Sequence, residues 1–386
     1  MNGRFSYALG GVLPHRLTPQ MRELYWATLL QNLALAMLLL FEPIYLWQQG
    51  YGVKGIIAFF LLVYVFYIVL IPLGAKFATH YGYEHSMAIS TLAQVAYYAC
   101  LFGVALSSWL LLPAALLYAV QKSLYWPAYH ADFARYSDQT EEGREVSGMS
   151  VALLLVYIIG PLLAGFLLAT GSWWLLFIVG SAVILLSNWP LLRTPEVFTP
   201  REFPYGATFR RLFEPGERRR LFGHMGFGEE LIVLVLWPVF IYVVAPGYMA
   251  VGAIVAASTL VTALATLYVG KISDERNKHA VLRFSAILYA AGWLSRLWAS
   301  GLFQVFAIDS WSRLTKNVVS VPLTAIVYER AKTRSVMDTV VFFEMSLVVG
   351  KIVAALILLA VFTFVSTAWN AAWLVAAAMT LLYLLI

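Results

Sequence analysis

Long apolar runs dominate the chain, each about twenty residues, separated by short polar breaks. The runs lie at 23–46, 55–78, 86–107, 109–130, 147–170, 173–192, 221–245, 249–270, 280–300, 303–328, 338–362 and 367–386. A helix rising 1.5 Å per residue needs roughly 20 residues to cross a ~30 Å hydrocarbon layer. The pattern therefore predicts twelve membrane-spanning helices and an all-α, polytopic membrane protein. Strands of a membrane barrel would alternate over about ten residues instead, and no such alternation occurs. Thr18 followed by Pro19 predicts the start of the first helix.

The long break at 193–220 contains Pro195, Pro200, Pro204 and Pro215 and the basic stretch RRLFEPGERRRLF. It reads as a linker with a short surface helix between a six-helix unit at 1–192 and a second at 221–386. Corresponding residues recur between the units at an offset near 195. Pro43 matches Pro238, Gly55 matches Gly252 and Gly74 matches Gly270. Lys122 matches Lys316, Pro127 matches Pro322 and Gly160 matches Gly350. Parallel halves of this kind imply a pseudo-two-fold axis along the membrane normal, with a solute path between them.

Composition agrees: 61% of residues are hydrophobic and 12% charged, against about 25% charged in soluble domains. Twenty of the 26 Lys and Arg residues fall on one side of the predicted spans, and only Lys54 falls on the other. That asymmetry predicts a cell-membrane protein with both termini cytoplasmic. The net charge of +6 then reports orientation and contact with anionic lipids rather than nucleic acid binding. The first 20 residues hold Arg4, Pro14, His15, Arg16 and Pro19, not the apolar core of a cleaved signal. Cys100 is the sole cysteine, which excludes an intrachain disulfide or a cysteine-based metal site. No HExxH, nucleotide-binding loop or paired metal-ligand acids occur, so neither an enzyme, a cofactor nor a metal is expected.

Three segments resemble the major facilitator superfamily. GKISDERNKH (270–279) is similar to its cytoplasmic-loop pattern of glycine, three residues, aspartate and a basic cluster. GAKFATHYGYEH (74–85) is the matching first-half segment, with Ala78 where the pattern has aspartate. GPLLAG (160–165) resembles the Gly-Pro motif of the antiporter branches. The resemblance implies two six-helix bundles that alternately expose a central cavity lined by helices 1, 4, 7 and 10. It implies gate roles for Gly74, Gly270, Asp274, Arg276 and Lys278. Close helix packing is implied at Gly160, Pro161 and Gly165.

Charges inside spans cost ~2.5–3.5 kcal/mol each on insertion scales, so each one asks for a reason. They are Glu42, Lys122, Glu229, Glu230, Asp309, Arg313, Lys316, Glu344 and Lys351, mostly on helices 1, 4, 7 and 10. Tyr118, Lys122, Tyr125 and Tyr129 share one helical stripe, as do Asp309, Arg313 and Lys316. Glu344 and Lys351 share another. Lys122 and Lys316 are expected to face each other across the cavity. Lys122 is either a substrate ligand or a structural partner for a neighbouring acid.

Lys122, Tyr118, Tyr125, Arg313, Lys316 and Lys351 are the candidate substrate-binding residues. Glu229, Glu230 and Glu344 are the candidate carriers of a coupling proton, because a carboxylate in low dielectric can take one up. Arg296 is expected to snorkel at the membrane interface, Glu42 to cap a gate at the outer end, and His80, His85 and His130 to be solvated. The reading is a monomeric secondary active transporter that moves a small organic solute, coupled to a proton or cation and contacting membrane lipids. A drug or organic-anion exporter is the leading type, and a transport-inactive receptor or scaffold on the same fold is the alternative.

Overall fold

The computed structural model describes residues 18–136, 142–196, 198–269, 277–333 and 335–386. Among the described residues, twelve helical rods follow one another in chain order. The first half contains α1 (Pro19–Leu38, continued by Glu42–Gln48), α2 (Gly52–Tyr81), α3 (Tyr83–Gly103), α4 (Leu111–Tyr136), α5 (Glu142–Thr170) and α6 (Trp173–Leu186, continued by Asn188–Leu191). The second half contains α7 (Arg218–Val244, in several pieces), α8 (Tyr248–Val269), α9 (Lys278–Leu294), α10 (Leu302–Thr333), α11 (Val336–Phe364) and α12 (Ala368–Leu381). Among the described residues, nine segments are long and apolar enough to cross a membrane. The other three rods are α4, α9 and α10. Two of these carry charges within the rod, Lys122 on α4 and the Asp309–Arg313–Lys316 stripe on α10, which lower their average hydropathy.

Two rods are broken at related places. Thr18 caps α1 by accepting from Met21 N at 3.1 Å, with Pro19 in the first turn. The helix stops after Leu38 and restarts at Glu42 with Pro43 in its first turn. Its counterpart α7 is more irregular. Arg218–His224 leads into a 3₁₀ turn at Met225–Gly228, one α-turn at Glu229–Leu231, a π-turn at Ile232–Leu236 and a final helix at Trp237–Val244 with Pro238 in its first turn. Proline removes a helix donor, and π-turns shift the faces that side chains present. Irregular backbone of this kind is tolerated at membrane depth only where protein or water surrounds it.

Small residues set the close helix contacts. A Cβ at Gly160 of α5 would strike Ala36 of α1, and one at Gly350 of α11 would strike the Met225 backbone of α7. The two matched glycines thus seat matched helices. Gly74 sits directly against the Ser123 backbone of α4. The two bundles meet along α5–α8 and α2–α11. On the first seam Gly165 abuts the Tyr248 backbone and Gly252 abuts the Pro161 carbonyl.

One end of the molecule, here proximal, holds residues 18 and 386. At the distal end Gln48 pins the bundles together. Its amide donates to Tyr242 Oη at 2.7 Å, and its carbonyl accepts from Tyr248 Oη at 2.8 Å and Trp173 Nε1 at 3.0 Å. The linker runs along the proximal end and contains the expected short helix at Tyr205–Leu212. Arg201 N donates to Thr79 O at 3.0 Å and Tyr205 Oη to Val69 O at 3.2 Å. Arg211 then lies over the Phe342 ring of α11 at 5.6 Å. The linker therefore crosses the α2–α11 seam.

Candidate functional site

The 3₁₀ turn and the π-turn of α7 bracket Glu229 and Glu230, and as consecutive helical residues the two point to different partners. Glu229 is fully buried inside the second bundle. It pairs with Lys316 of α10 and accepts from Tyr289 Oη at 2.6 Å. The Lys316 ammonium also lies 4.5 Å above the Phe227 ring. A buried charge needs a counter-charge and hydrogen bonds, and this pair has both.

Glu230 points to the seam between bundles, where its carboxylate meets Lys351 of α11 at 2.5 Å. Lys351 in turn faces the Tyr64 ring of α2 at 5.5 Å. Two turns away on the same face of α11, Glu344 accepts from Tyr67 Oη of α2 at 2.9 Å and lies 3.8 Å from His130 Nε2 of α4. Glu344 and Lys351 do share a stripe, but each reaches a different partner. His130 is half-buried against Glu344, not solvated as its position near a span end suggested.

Lys122 occupies the first-bundle side of this seam. Its ammonium sits 4.5 Å above the Tyr118 ring, which stacks on Tyr97 at 4.4 Å and 8°. Glu42, Glu230, Glu344 and Lys351 are the charges that act on it. Among the described residues no carboxylate lies within 4 Å of its Nζ. Lys316, Lys351 and Arg313 each hold an acid; Lys122 rests on an aromatic shelf. Lys316 does not face it, because Lys316 is turned into its own bundle against Glu229. Tyr125 does not join the shelf. It stacks on Tyr129 at 5.8 Å and helps line a small space with Gln31, Thr91 and Ser187.

Glu42 is only 2% exposed and accepts from Tyr98 Oη at 2.7 Å. It is therefore an interior group of the first bundle, not a cap at the outer end, since α1 continues past it to Gln48. Arg313 is held by Asp309 at 2.6 Å, and Asp309 also accepts from Trp237 Nε1 at 2.8 Å. Arg296 departs furthest from expectation. It is 2% exposed, with its guanidinium 3.7 Å from the Trp293 ring and 4.3 Å from the Trp237 ring. Arginine stacks on aromatic faces in this way. Trp293 lies one turn before it in sequence, but Trp237 comes from another helix.

Gly270, Asp274 and Arg276 lie outside the described residues. Lys278 pairs with Glu329 of α10, both exposed. In the first half the α2–α3 turn has acquired a carboxylate from the linker. Glu196 accepts from Tyr83 N at 2.7 Å and Glu84 N at 3.0 Å and approaches His85 Nδ1 at 3.2 Å. Gly82, at φ +106°, leaves room for it. Glu196 thus satisfies the free amides at the start of α3, beside a loop whose own aspartate position is Ala78. Among the described residues, no cluster of His, Cys, Asp or Glu is placed to hold a metal.

A sequence model of the Major Facilitator Superfamily matches residues 24–249, more than half of the chain. The chain belongs to the major facilitator superfamily. Superfamily members are carriers of small molecules, not enzymes. No curated protein matches the sequence.

Solved superfamily structures share the fold. The D-xylose-proton symporter superposes with a TM-score of 0.70 at 11% identity, covering 94% of this chain and 95% of its own. A variant of the E. coli fucose:proton symporter gives 0.65 at 15% identity, with 94% and 96% covered. The human organic anion transporter MFSD10 gives 0.62 at 17% identity, with 95% and 99% covered.

Proposed function

We propose that this superfamily member is a secondary active, proton-coupled carrier of a small organic anion or anionic amphiphile. The observation that carries the reading is Lys122: a half-buried ammonium on the Tyr118–Tyr97 shelf, beside the bundle seam, with no carboxylate in contact among the described residues. A cation left in that position favours an incoming anion, and the stacked phenols favour an apolar body attached to it.

Glu230 and Glu344 face the same seam from the second bundle. Glu344 is held by a phenol and a histidine rather than by a lysine, so protonation removes a charge from a buried site that lacks a fixed cation. Glu344 is the first candidate for the coupling proton. Glu229 and Glu230 are neutralised by Lys316 and Lys351 and would release those lysines on taking up a proton. The site residues come from α2, α4, α7 and α11, so rocking of one bundle against the other changes every cross-seam distance at once.

The proximal end carries Arg22, Arg193, Arg201, Arg210, Arg211, Arg218, Arg219 and Arg220, and the distal end Lys54. This supports a cell membrane location with the proximal face cytoplasmic. We read transport as export, on the GPLLAG segment that forms the α5–α8 seam. A thermal-stability screen of the purified protein against small carboxylates, sulfonates and anionic amphiphiles tests the binding claim. Stabilisation by members of that set, lost in Lys122→Gln, is expected. Stabilisation only by neutral sugars or by cations, or by anions to the same extent in Lys122→Gln, would overturn it.

A further inference from the structure

A second binding feature lies away from the seam, where the proximal halves of α1 and α6 diverge. There a groove of about 320 Å³ opens on the outer surface, lined by Arg22, Trp26, Leu30, Leu186, Trp189 and Arg193, with Glu23 below. Trp26 and Trp189 are 58% and 72% exposed, and both arginines are exposed. The groove faces outward from the bundle, beside the start of α1 and the end of α6.

We propose that this groove binds one anionic phospholipid, its phosphate between Arg22 and Arg193 and an acyl chain over Trp26, Leu30 and Leu186. Charge supports that occupant. The only acid of the lining, Glu23, is 8% exposed and accepts from Thr194 Oγ1 at 2.6 Å, so it is turned inward and satisfied. The first turn of α1 contains no acidic residue, which leaves the positive helix end at the groove uncompensated. Arginine suits a phosphate because its planar fork donates in pairs, and exposed tryptophans at the membrane interface sit at headgroup level with the ring in the apolar region. The chain's own residues 1–17 are a poor occupant, since they carry Arg4 and Arg16 and no acid.

The groove is built where α6 passes into the linker that crosses the α2–α11 seam. A lipid held there touches both α1 and the start of that linker at Arg193.

Native mass spectrometry of the full-length protein, titrated with phosphatidylglycerol or phosphatidylcholine of matched chains, tests the assignment. A preference for phosphatidylglycerol is expected, reduced roughly thirtyfold in Arg22→Gln/Arg193→Gln, since each of the two basic residues contributes ~1 kcal/mol toward anionic lipid and about 1.4 kcal/mol is tenfold. Arg201→Gln, at the same end but outside the groove, is the control and should leave the preference unchanged. Glycerol phosphate at equal concentration should not bind, which separates a lipid from a free phosphate. Equal binding of the two lipids, an undiminished preference in the double variant, an equal loss in Arg201→Gln, or displacement of the lipid by residues 1–17 that is relieved by their deletion would overturn it.

Discussion

Tyr67 of α2 donates its phenol to Glu344 of α11 at 2.9 Å, a hydrogen bond that joins the two halves of the molecule across 277 residues of sequence. Both groups are buried. A buried acceptor that loses its donor costs ~1–3 kcal/mol. Tyr67→Phe keeps the ring and removes the donor, so it should lower the melting temperature by a few degrees at neutral pH. Glu344→Ala removes the acceptor and should suppress that effect in the double variant, and thermal denaturation of the four proteins checks this as a cycle.

Lys122 and Lys316 should respond differently despite occupying matched positions. Lys122 has no acid to abandon, so Lys122→Gln should express and melt like wild type while losing transport by at least a hundredfold. Lys316→Ala strands Glu229, which is fully buried, and breaking one side of such a pair costs ~3–5 kcal/mol. Its yield and melting temperature should fall, and Glu229→Gln should restore folding to Lys316→Ala without restoring transport. Size-exclusion profiles and melting curves separate the two cases.

Arg296→Ala should destabilise the second bundle by ~2 kcal/mol or more, the value of a desolvated cation–π contact, with the loss of its packed stem added. Arg296→Lys should recover only part, because an ammonium cannot lie flat between two indoles. Intrinsic fluorescence during thermal unfolding reports on it directly, since Trp237 and Trp293 are its neighbours.

Glu196→Ala should release the linker from the α2–α3 turn. A carboxylate that accepts from free helix amides contributes ~1–2 kcal/mol. The variant should show faster protease cleavage within 194–217 while the spans stay protected. Glu196→Gln, which keeps one acceptor oxygen, should fall between.

The rods and their order were legible because burial in lipid demands long apolar runs, and the halves were legible because prolines and glycines recur at nearly constant spacing. The charged residues of the site were also visible, since each one interrupts such a run. Their partners were not. Helical periodicity gives the residues that share a face but not the rotation of that face against its neighbours. So Lys316 turned into its own bundle, and Tyr125 turned from Lys122 toward Tyr129. Glu42 is an interior group because it accepts from Tyr98 of α3, 56 residues away in sequence, a partner that helical periodicity does not reveal. The sequence around Arg296 suggests a snorkelling residue because one half of its aromatic sandwich, Trp237, is 59 residues away in sequence. Consecutive residues of a helix point roughly 100° apart, so two adjacent glutamates must take different partners, but the sequence does not say which one turns to Lys316 and which to Lys351. Gly160 and Gly350 were the reverse case, since the repeat paired them and each seats the matching helix.

On the proposed function, an anionic solute enters at Lys122 while a proton is carried at the facing seam. The decisive measurement uses proteoliposomes containing a trapped pH indicator and an anion chosen from the stability screen. Wild type should move protons only when the anion is present. Glu344→Gln should still exchange labelled anion for unlabelled anion without proton movement, and Lys122→Gln should do neither. Anion-driven proton movement at the wild-type rate in Lys122→Gln, or no movement of any bound anion by the wild-type protein, would contradict it.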